Sequence, residues 1–202
     1  VVVGAPPDLA AIIPRCPQLR WVQSTWAGID AIAHFASEAL QITPLKGVFG
    51  PAMTEYVMGW LLAIERNVIS RASHTQWTPS LEPRITGKRL GVMGTGGIGT
   101  AIALAAKSFG VEVFGLNSDG RAVDGFTACY PSTDRLAFAE RLDYLVSVLP
   151  QTAQTDNLIE REVLMRLNPG AIVINAGRGN AVVEADLIAS LNAGHVRAAV
   201  LD

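Results

Sequence analysis

The chain has 202 residues, half of them hydrophobic and 17% charged, with a formal net charge of −2. That suits one large domain or two small ones around a sizeable core. The absence of any long basic run speaks against nucleic acid as a partner. Cys16 and Cys129 stand far apart and outside metal-ligand spacing. They read as reduced thiols of a cytoplasmic protein, with no metal site expected.

The chain opens on "VVVGAPPDLA" and closes on "VRAAVLD". Both runs are strand-like, and neither a starting Met nor a signal peptide is present, so the interior of a longer protein is expected. Residues 1–3, 21–23 and 41–43 read as strands. Pro6, Pro7, Pro14 and Pro17 are expected to break anything longer between the first two. Residues 1–50 thus read as a small α/β layer.

A long helix is expected over 51–76, with Pro51 at its first position. Met53, Tyr56, Val57, Trp60, Leu61, Ile64 and Val68 follow helical spacing, and Met58, Leu62 and Ile69 widen the apolar face. A face that broad suits burial on several sides, between domains or against a partner subunit. Glu65 and Arg66 interrupt it, so it falls short of a membrane span. "QWTPSLEPRITGK" follows as a loop. The expected organisation is a partial first domain at 1–50, a connecting helix and linker at 51–78, and a second domain at 79–202.

From Arg89 onward strand and helix alternate. Strands are predicted at 90–93, 111–116, 143–149, 171–175 and 196–201, and helices at 97–109, 160–167 and 184–193. Gly110 and Gly194 stop two of the helices. Strands apolar on both faces and joined by helices predict a parallel sheet covered on both sides, an α/β fold.

The strongest motif is "GVMGTGGIGTAIA". Gly94, Gly96 and Gly99 make G-x-G-x-x-G where a strand hands over to a helix. The first glycine allows a tight turn, the second lets a pyrophosphate approach, and the third lets helix and strand pack closely. Thr95, Gly97 and Ile98 complete the loop, whose free N–H groups suit phosphates. An acidic side chain at the end of the next strand would accept hydrogen bonds from a ribose 2′-OH. Asn117 holds that place instead, and Asp119 lies two residues on. Ser118 and Arg121 are suited to a 2′-phosphate, so the sequence leans to NADP over NAD. Arg121 also reads as an ordinary solvated loop charge.

"AIVINAGRGN" puts Arg178 just past a buried strand, at the edge where such sheets bind ligands. Its planar guanidinium can grip a carboxylate through two parallel bonds. Gly177 and Gly179 are expected to keep the backbone thin there. A structural ion pair is the competing reading of Arg178, and residue chemistry alone favours neither.

"GVMGTGGIGTAIA", "VSVLPQTAQTDNLI", "LMRLNPGAIVINAGRGNAVVEADLIASLNAGHVRAAVLD" and "LRWVQSTWAGID" together resemble the D-isomer-specific 2-hydroxyacid dehydrogenases, above all the glyoxylate/hydroxypyruvate reductase branch. The resemblance covers nearly the whole chain in order and spacing. It implies a Rossmann-type doubly wound sheet joined to a smaller, incomplete flavodoxin-like substrate domain, with substrate in the cleft between them. It implies hydride transfer from NAD(P)H to a small 2-oxo acid, giving a D-2-hydroxy acid, in a homodimer without membrane or nucleic-acid partners.

The resemblance also implies roles. Arg178 binds the substrate carboxylate and carbonyl, and the Ala27 and Gly28 amides meet the same carboxylate. Pro150 and Thr155 line the adenosine or ribose side. Asp202 touches the nicotinamide carboxamide, and Ala176 is counted among the cofactor-binding residues. The family's glutamate–histidine pair belongs downstream of Asp202, and His34, His74 and His195 do not match its motif. These 202 residues alone are therefore expected to bind dinucleotide and turn over poorly. Two rival readings are an NAD(H)-responsive corepressor-like regulator and a phosphoglycerate dehydrogenase-like enzyme. Trp26, where a phosphorylated substrate would want a basic residue, favours a small unphosphorylated acid.

Overall fold

The computed structural model describes residues 1–77 and 79–202. Thr78, in the loop expected after the long helix, lies outside the described residues. The chain divides into two compact units, Val1–Phe49 and Gly50–Asp202.

In the first unit, β1 (Val2–Gly4), β2 (Trp21–Ser24) and β3 (Gln41–Thr43) form a parallel sheet in that order. Pro6 and Pro7, expected to break anything longer after β1, do not act as breakers there. They start a helix, α1 (Pro6–Ile12), with proline in its first turn. Those positions need no N–H partner, and the fixed φ of proline suits them. Pro14 falls in the 3₁₀ turn Ile13–Arg15 that follows. Leu9, Ile13, Val22, Ile32 and Leu40 close a small core.

The second unit begins with α2 (Gly50–Glu65) and a single turn, α3 (Val68–Arg71). Then come β4 (Arg89–Met93), α4 (Gly97–Ser108), β5 (Glu112–Asn117), β6 (Ala128–Pro131), α5 (Arg135–Ala139) and β7 (Tyr144–Ser147). They are followed by α6 (Arg161–Arg166), β8 (Ala171–Asn175), α7 (Glu184–Asn192) and β9 (Val196–Leu201). The six strands are all parallel, in the order β6-β5-β4-β7-β8-β9. The chain winds outward from β4 to β6, returns to lay β7 beside β4, and winds the other way to β9. The carboxyl ends of β4 and β7 therefore flank the reversal point, where doubly wound sheets bind ligands.

Side chains alternate across the sheet. Val92, Val146 and Ile174 pack with Val57 and Leu61 of α2 and Ile102 and Ala106 of α4. Met93, Leu145 and Val173 pack with Phe138, Leu164 and Leu187 of α5, α6 and α7. Every residue of β7 and β8 is buried, which is why both read as continuous apolar runs.

The expected helix over 51–76 is shorter. Asn67 takes a left-handed φ of 50° and breaks it. Val68 and Ile69 continue the apolar spacing but are 53% and 63% exposed, so the pattern outruns the buried face. The end of α2 is fixed by Glu65, which is 3% exposed. Its Oε1 accepts hydrogen bonds from the Tyr144 hydroxyl at 2.9 Å and Arg197 Nη2 at 2.7 Å. Burial, then the Glu65 carboxylate, pushes the Tyr144 phenol pKa far upward, so it remains a donor. Among the described residues no helix is long and apolar enough to cross a membrane.

Candidate nucleotide and substrate site

The three motif glycines are required for three different reasons. Gly94 has φ 101°, a conformation that side chains rarely adopt, and its N–H donates to the Leu116 carbonyl at 2.9 Å. A Cβ on Gly99 would stand 1.9 Å from the Gly94 carbonyl oxygen. A Cβ on Gly96, which caps α4, would meet no atom within 4 Å. The turn is thus closed on the protein side and open at Gly96. The first-turn amides of α4, which no helical carbonyl satisfies, lie at that opening.

Beside it, the end of β5 forms a braced loop. Asn117 Nδ2 donates to Thr95 Oγ1 at 3.1 Å and to the Arg121 carbonyl at 2.9 Å. Its Oδ1 accepts from Gly120 N–H at 2.6 Å. Both amide hydrogens are thereby used, so Asn117 ties the loop to the glycine turn. Ser118 and Arg121 are exposed on the loop's rim, and Arg121 Nη1 lies 2.9 Å from Asp119 Oδ1.

On the other side, the exit of β7 folds back on Thr155. Its hydroxyl lies 2.6 Å from the Pro150 carbonyl and accepts the Thr152 N–H at 2.9 Å. A cavity of about 500 Å³ unites these parts. Gly94, Thr95, Gly96, Asn117, Ser118, Arg121, Pro150 and Thr155 all line it. Leu116, Ser132, Leu149, Thr152, Gln154 and Leu158 line it too and were not singled out from the sequence. Adjacency to Pro150 and Thr155 was the available signal for Thr152 and Gln154; Ser132 offered none. The volume falls within the range usual for small-molecule sites.

Gly97, Ile98, Gly99, Ala176, Arg178 and Asp202 do not line that cavity. The last three stand along the same carboxyl edge, past β8 and β9. Ala176 N–H donates to the Ser147 carbonyl at 2.9 Å, and Asp202 N–H to the Asn175 carbonyl at 3.0 Å. Buried Asn175 shapes the turn that carries Arg178. Its Nδ2 donates to the Arg178 carbonyl at 3.0 Å, and its Oδ1 accepts from Gly177 N–H at 3.2 Å. Arg178 is half-buried, and its Nη1 donates to the Gly177 carbonyl at 3.1 Å.

The two flanking glycines differ. A Cβ on Gly177 would lie 2.7 Å from both the Leu149 nitrogen and oxygen, whereas one on Gly179 would meet nothing. Gly177 is thus demanded by the crossing of the β7 and β8 exits, and the expected thinning of backbone for a ligand is not its first reason. In the first unit, Ala27 and Gly28 follow a turn closed by Ser24. The Ser24 hydroxyl accepts from Trp26 N–H at 2.9 Å and donates to the Trp26 carbonyl at 3.0 Å. Trp26 is 50% exposed. His34 and His74 are exposed, and His195 Nε2 lies 3.0 Å from the Leu164 carbonyl, at the opposite end of the sheet from the cavity.

Residues 58–202 match the family model described as D-isomer specific 2-hydroxyacid dehydrogenase, NAD binding domain. The chain belongs to this family. Two curated relatives are similar over nearly its whole length. The D-3-phosphoglycerate dehydrogenase of Mycobacterium bovis is 33% identical over 205 residues, covering 96% of this chain and 38% of that protein. The glyoxylate/hydroxypyruvate reductase B of Salmonella newport is 34% identical over 206 residues, covering 95% of this chain and 63% of that protein. Among solved structures, the NADPH-dependent glyoxylate/hydroxypyruvate reductase of Sinorhizobium meliloti, in complex with NADP and sulfate, superposes with a TM-score of 0.86. It is 26% identical, over 100% of this chain and 66% of that one. The chain thus spans less than two thirds of each of the three.

The six-stranded sheet is the expected Rossmann-type fold, and the second unit carries the family's NAD-binding domain. The residues present fit that cofactor. A Cβ added at Gly96 would stand in unfilled space at a helix N-terminus, as a pyrophosphate cradle requires.

Proposed function

We propose that this D-2-hydroxyacid dehydrogenase holds NADP(H), or NAD(H), over its glycine turn and serves the reduction of a small 2-oxo acid, of the glyoxylate or hydroxypyruvate kind, to a D-2-hydroxy acid. The observation that supports this best is the single cavity joining Gly94, Thr95 and Gly96 to the β5 and β7 exits. The bound nicotinamide supplies or accepts the hydride. Amides of the glycine turn hold phosphate, and Pro150 and Thr155 bound the adenosine side. Asn117 holds the shape of the rim.

Arg178 is assigned to the acid itself. A guanidinium grips a carboxylate, and beside a carbonyl it stabilises the negative charge that grows on oxygen as hydride arrives. That contact strengthens on the way to the transition state, so it raises kcat and not affinity alone. Asn175, by fixing the Arg178 carbonyl and the Gly177 N–H, presents the arginine in one backbone conformation. Within the first unit, the Ala27 and Gly28 amides are assigned as carboxylate donors.

The test is a panel of 2-oxo acids run against NADPH and NADH in the intact protein. Glyoxylate and hydroxypyruvate should be reduced, with NADPH preferred. Arg178→Gln should lower kcat/KM by about 10²–10³-fold while nucleotide affinity stays within about threefold. Oxidation of neither nucleotide by any acid would contradict the reading. The Mycobacterium bovis relative favours a second reading, a phosphoglycerate dehydrogenase-like substrate. Trp26, in place of a basic residue, argues for the unphosphorylated acid. A strong preference for 3-phosphohydroxypyruvate in the same panel would reverse that choice.

A further inference from the structure

The turn that carries Arg178 is held on both flanks. On one side Asn175 bonds the Arg178 carbonyl and the Gly177 N–H. On the other, the chain past Arg178 runs against the loop that leaves β7. Asn157 N–H donates to the Asn180 carbonyl at 2.8 Å, Ile159 N–H to the Ala181 carbonyl at 2.8 Å, and Val183 N–H to the Ile159 carbonyl at 3.0 Å. The same β7-exit loop supplies Pro150, Thr152, Gln154 and Thr155 to the cavity wall. The Asn180 side chain ties that wall to the Arg178 turn. Its Nδ2 donates to Asp156 Oδ1 and lies 3.4 Å from Thr155 Oγ1. The bond to the carboxylate is charge-assisted and fixes which way the amide faces. Asn180 Oδ1 is left buried, with no hydrogen-bond partner among the described residues. An unsatisfied buried acceptor costs stability, so packing alone does not account for an asparagine here.

We propose that Asn180 is a positioning residue that relays occupancy of the nucleotide cavity to Arg178, so that a bound nucleotide tightens the grip on the acid even without its nicotinamide. The inference rests on the nucleotide-binding and Arg178 readings above. A nucleotide packed on Thr155 restrains the β7-exit loop. Through the Asn180 amide that restraint reaches the turn just past Arg178. An arginine whose turn is already held loses less freedom when it closes on a carboxylate, and the difference appears as affinity. Linkage makes the effect reciprocal, so the acid tightens the nucleotide by the same factor. The backbone bonds at Asn157 and Ile159 do not depend on the amide. Removing it therefore leaves the fold in place and cuts the tie at Thr155. Asn180 touches no reacting atom.

The experiment is a calorimetric titration of the intact protein with oxalate, a non-reacting acid of the substrate's size, without and with saturating ADP-ribose or its 2′-phosphate, whichever binds more tightly. These fragments carry the pyrophosphate and adenosine and lack the nicotinamide, so contact between ring and acid plays no part. In wild type the fragment should tighten oxalate about fivefold or more, the low end of ordinary coupling between sites. Asn180→Asp keeps the shape and sets two carboxylates face to face. It should reduce the tightening to within about twofold, with affinity for the fragment alone within about threefold. Adding Asp156→Asn exchanges donor and acceptor and should restore the tightening, which a merely structural asparagine would not do. No tightening in wild type with both ligands bound, full tightening in Asn180→Asp, or loss without rescue by the exchanged pair would each overturn the inference and leave both sites standing. Failure of wild type to bind either fragment would overturn the nucleotide reading as well, and failure to bind oxalate the Arg178 reading.

Discussion

A methyl group at Gly99 would fall 1.9 Å from the Gly94 carbonyl oxygen, closer than any real contact. That oxygen is backbone in a turn whose own φ is 101°, so neither side can yield cheaply. Gly99→Ala should therefore lower stability by about 1–3 kcal/mol, the usual cost of overpacking, and weaken nucleotide binding with it. Urea denaturation followed by NADPH titration checks both. The need for glycine at 94 and 99 was legible in the sequence, because spacing after a strand dictates it. The different reasons at Gly177 and Gly179 were not. One meets the β7 exit and the other meets open space, and only tertiary placement separates them. Asn117 shows the same limit. Its position past the glycine turn was readable, but its engagement with Thr95, Gly120 and Arg121 depends on where three other groups stand.

At the scale of elements, the strands 41–43, 171–175 and 196–201 match their observed bounds, and β4 and α4 lie within a residue of expectation. Their cues are local: apolar runs, glycine stops and the motif itself. The helix α1 was missed because its prolines were read as breakers, although at a first turn they are starters. The short β6 and five-residue α5 carry too few residues for a period to show. The overlong helix over 51–76 came from apolar spacing that continues past Asn67 on exposed residues.

Joints between elements carry polar anchors that no pattern announces. Asp143, just before β7, is one. It accepts from Arg89 N–H at 2.9 Å, Asn168 Nδ2 at 3.0 Å and Lys88 Nζ at 3.1 Å. Burial alone would raise its pKa; these three partners together hold it below the ordinary 3.8. A carboxyl lowered on folding contributes stability above its unfolded pKa and loses it as pH falls through the folded one. Asp143→Ala should thus cost about 1–3 kcal/mol near neutrality, with the difference from wild type shrinking below about pH 4. Urea titrations between pH 3 and 7 measure it, and a difference independent of pH would contradict the assignment.

At the scale of the molecule, the fold follows from one alternation of strand and helix, and the candidate site follows from where the winding reverses. Gly94 sits past β4 and Pro150 past β7, the two strands that flank that reversal, and the cavity between their exits is a consequence of strand order. The sequence could place both residues near the sheet's carboxyl edge but could not enclose a volume. Gly96 isolates the claim that phosphate occupies it. Its backbone, φ −76° and ψ −168°, is open to any residue, and a Cβ there meets no protein atom within 4 Å. The most direct measurement is therefore an NADPH titration of Gly96→Val beside wild type, with melting temperatures recorded for both. A melting temperature only a few degrees lower, the cost of a poorer cap, and a dissociation constant raised by tenfold or more, on the order of one lost phosphate contact, are expected. Equal affinity in the two proteins would contradict that claim.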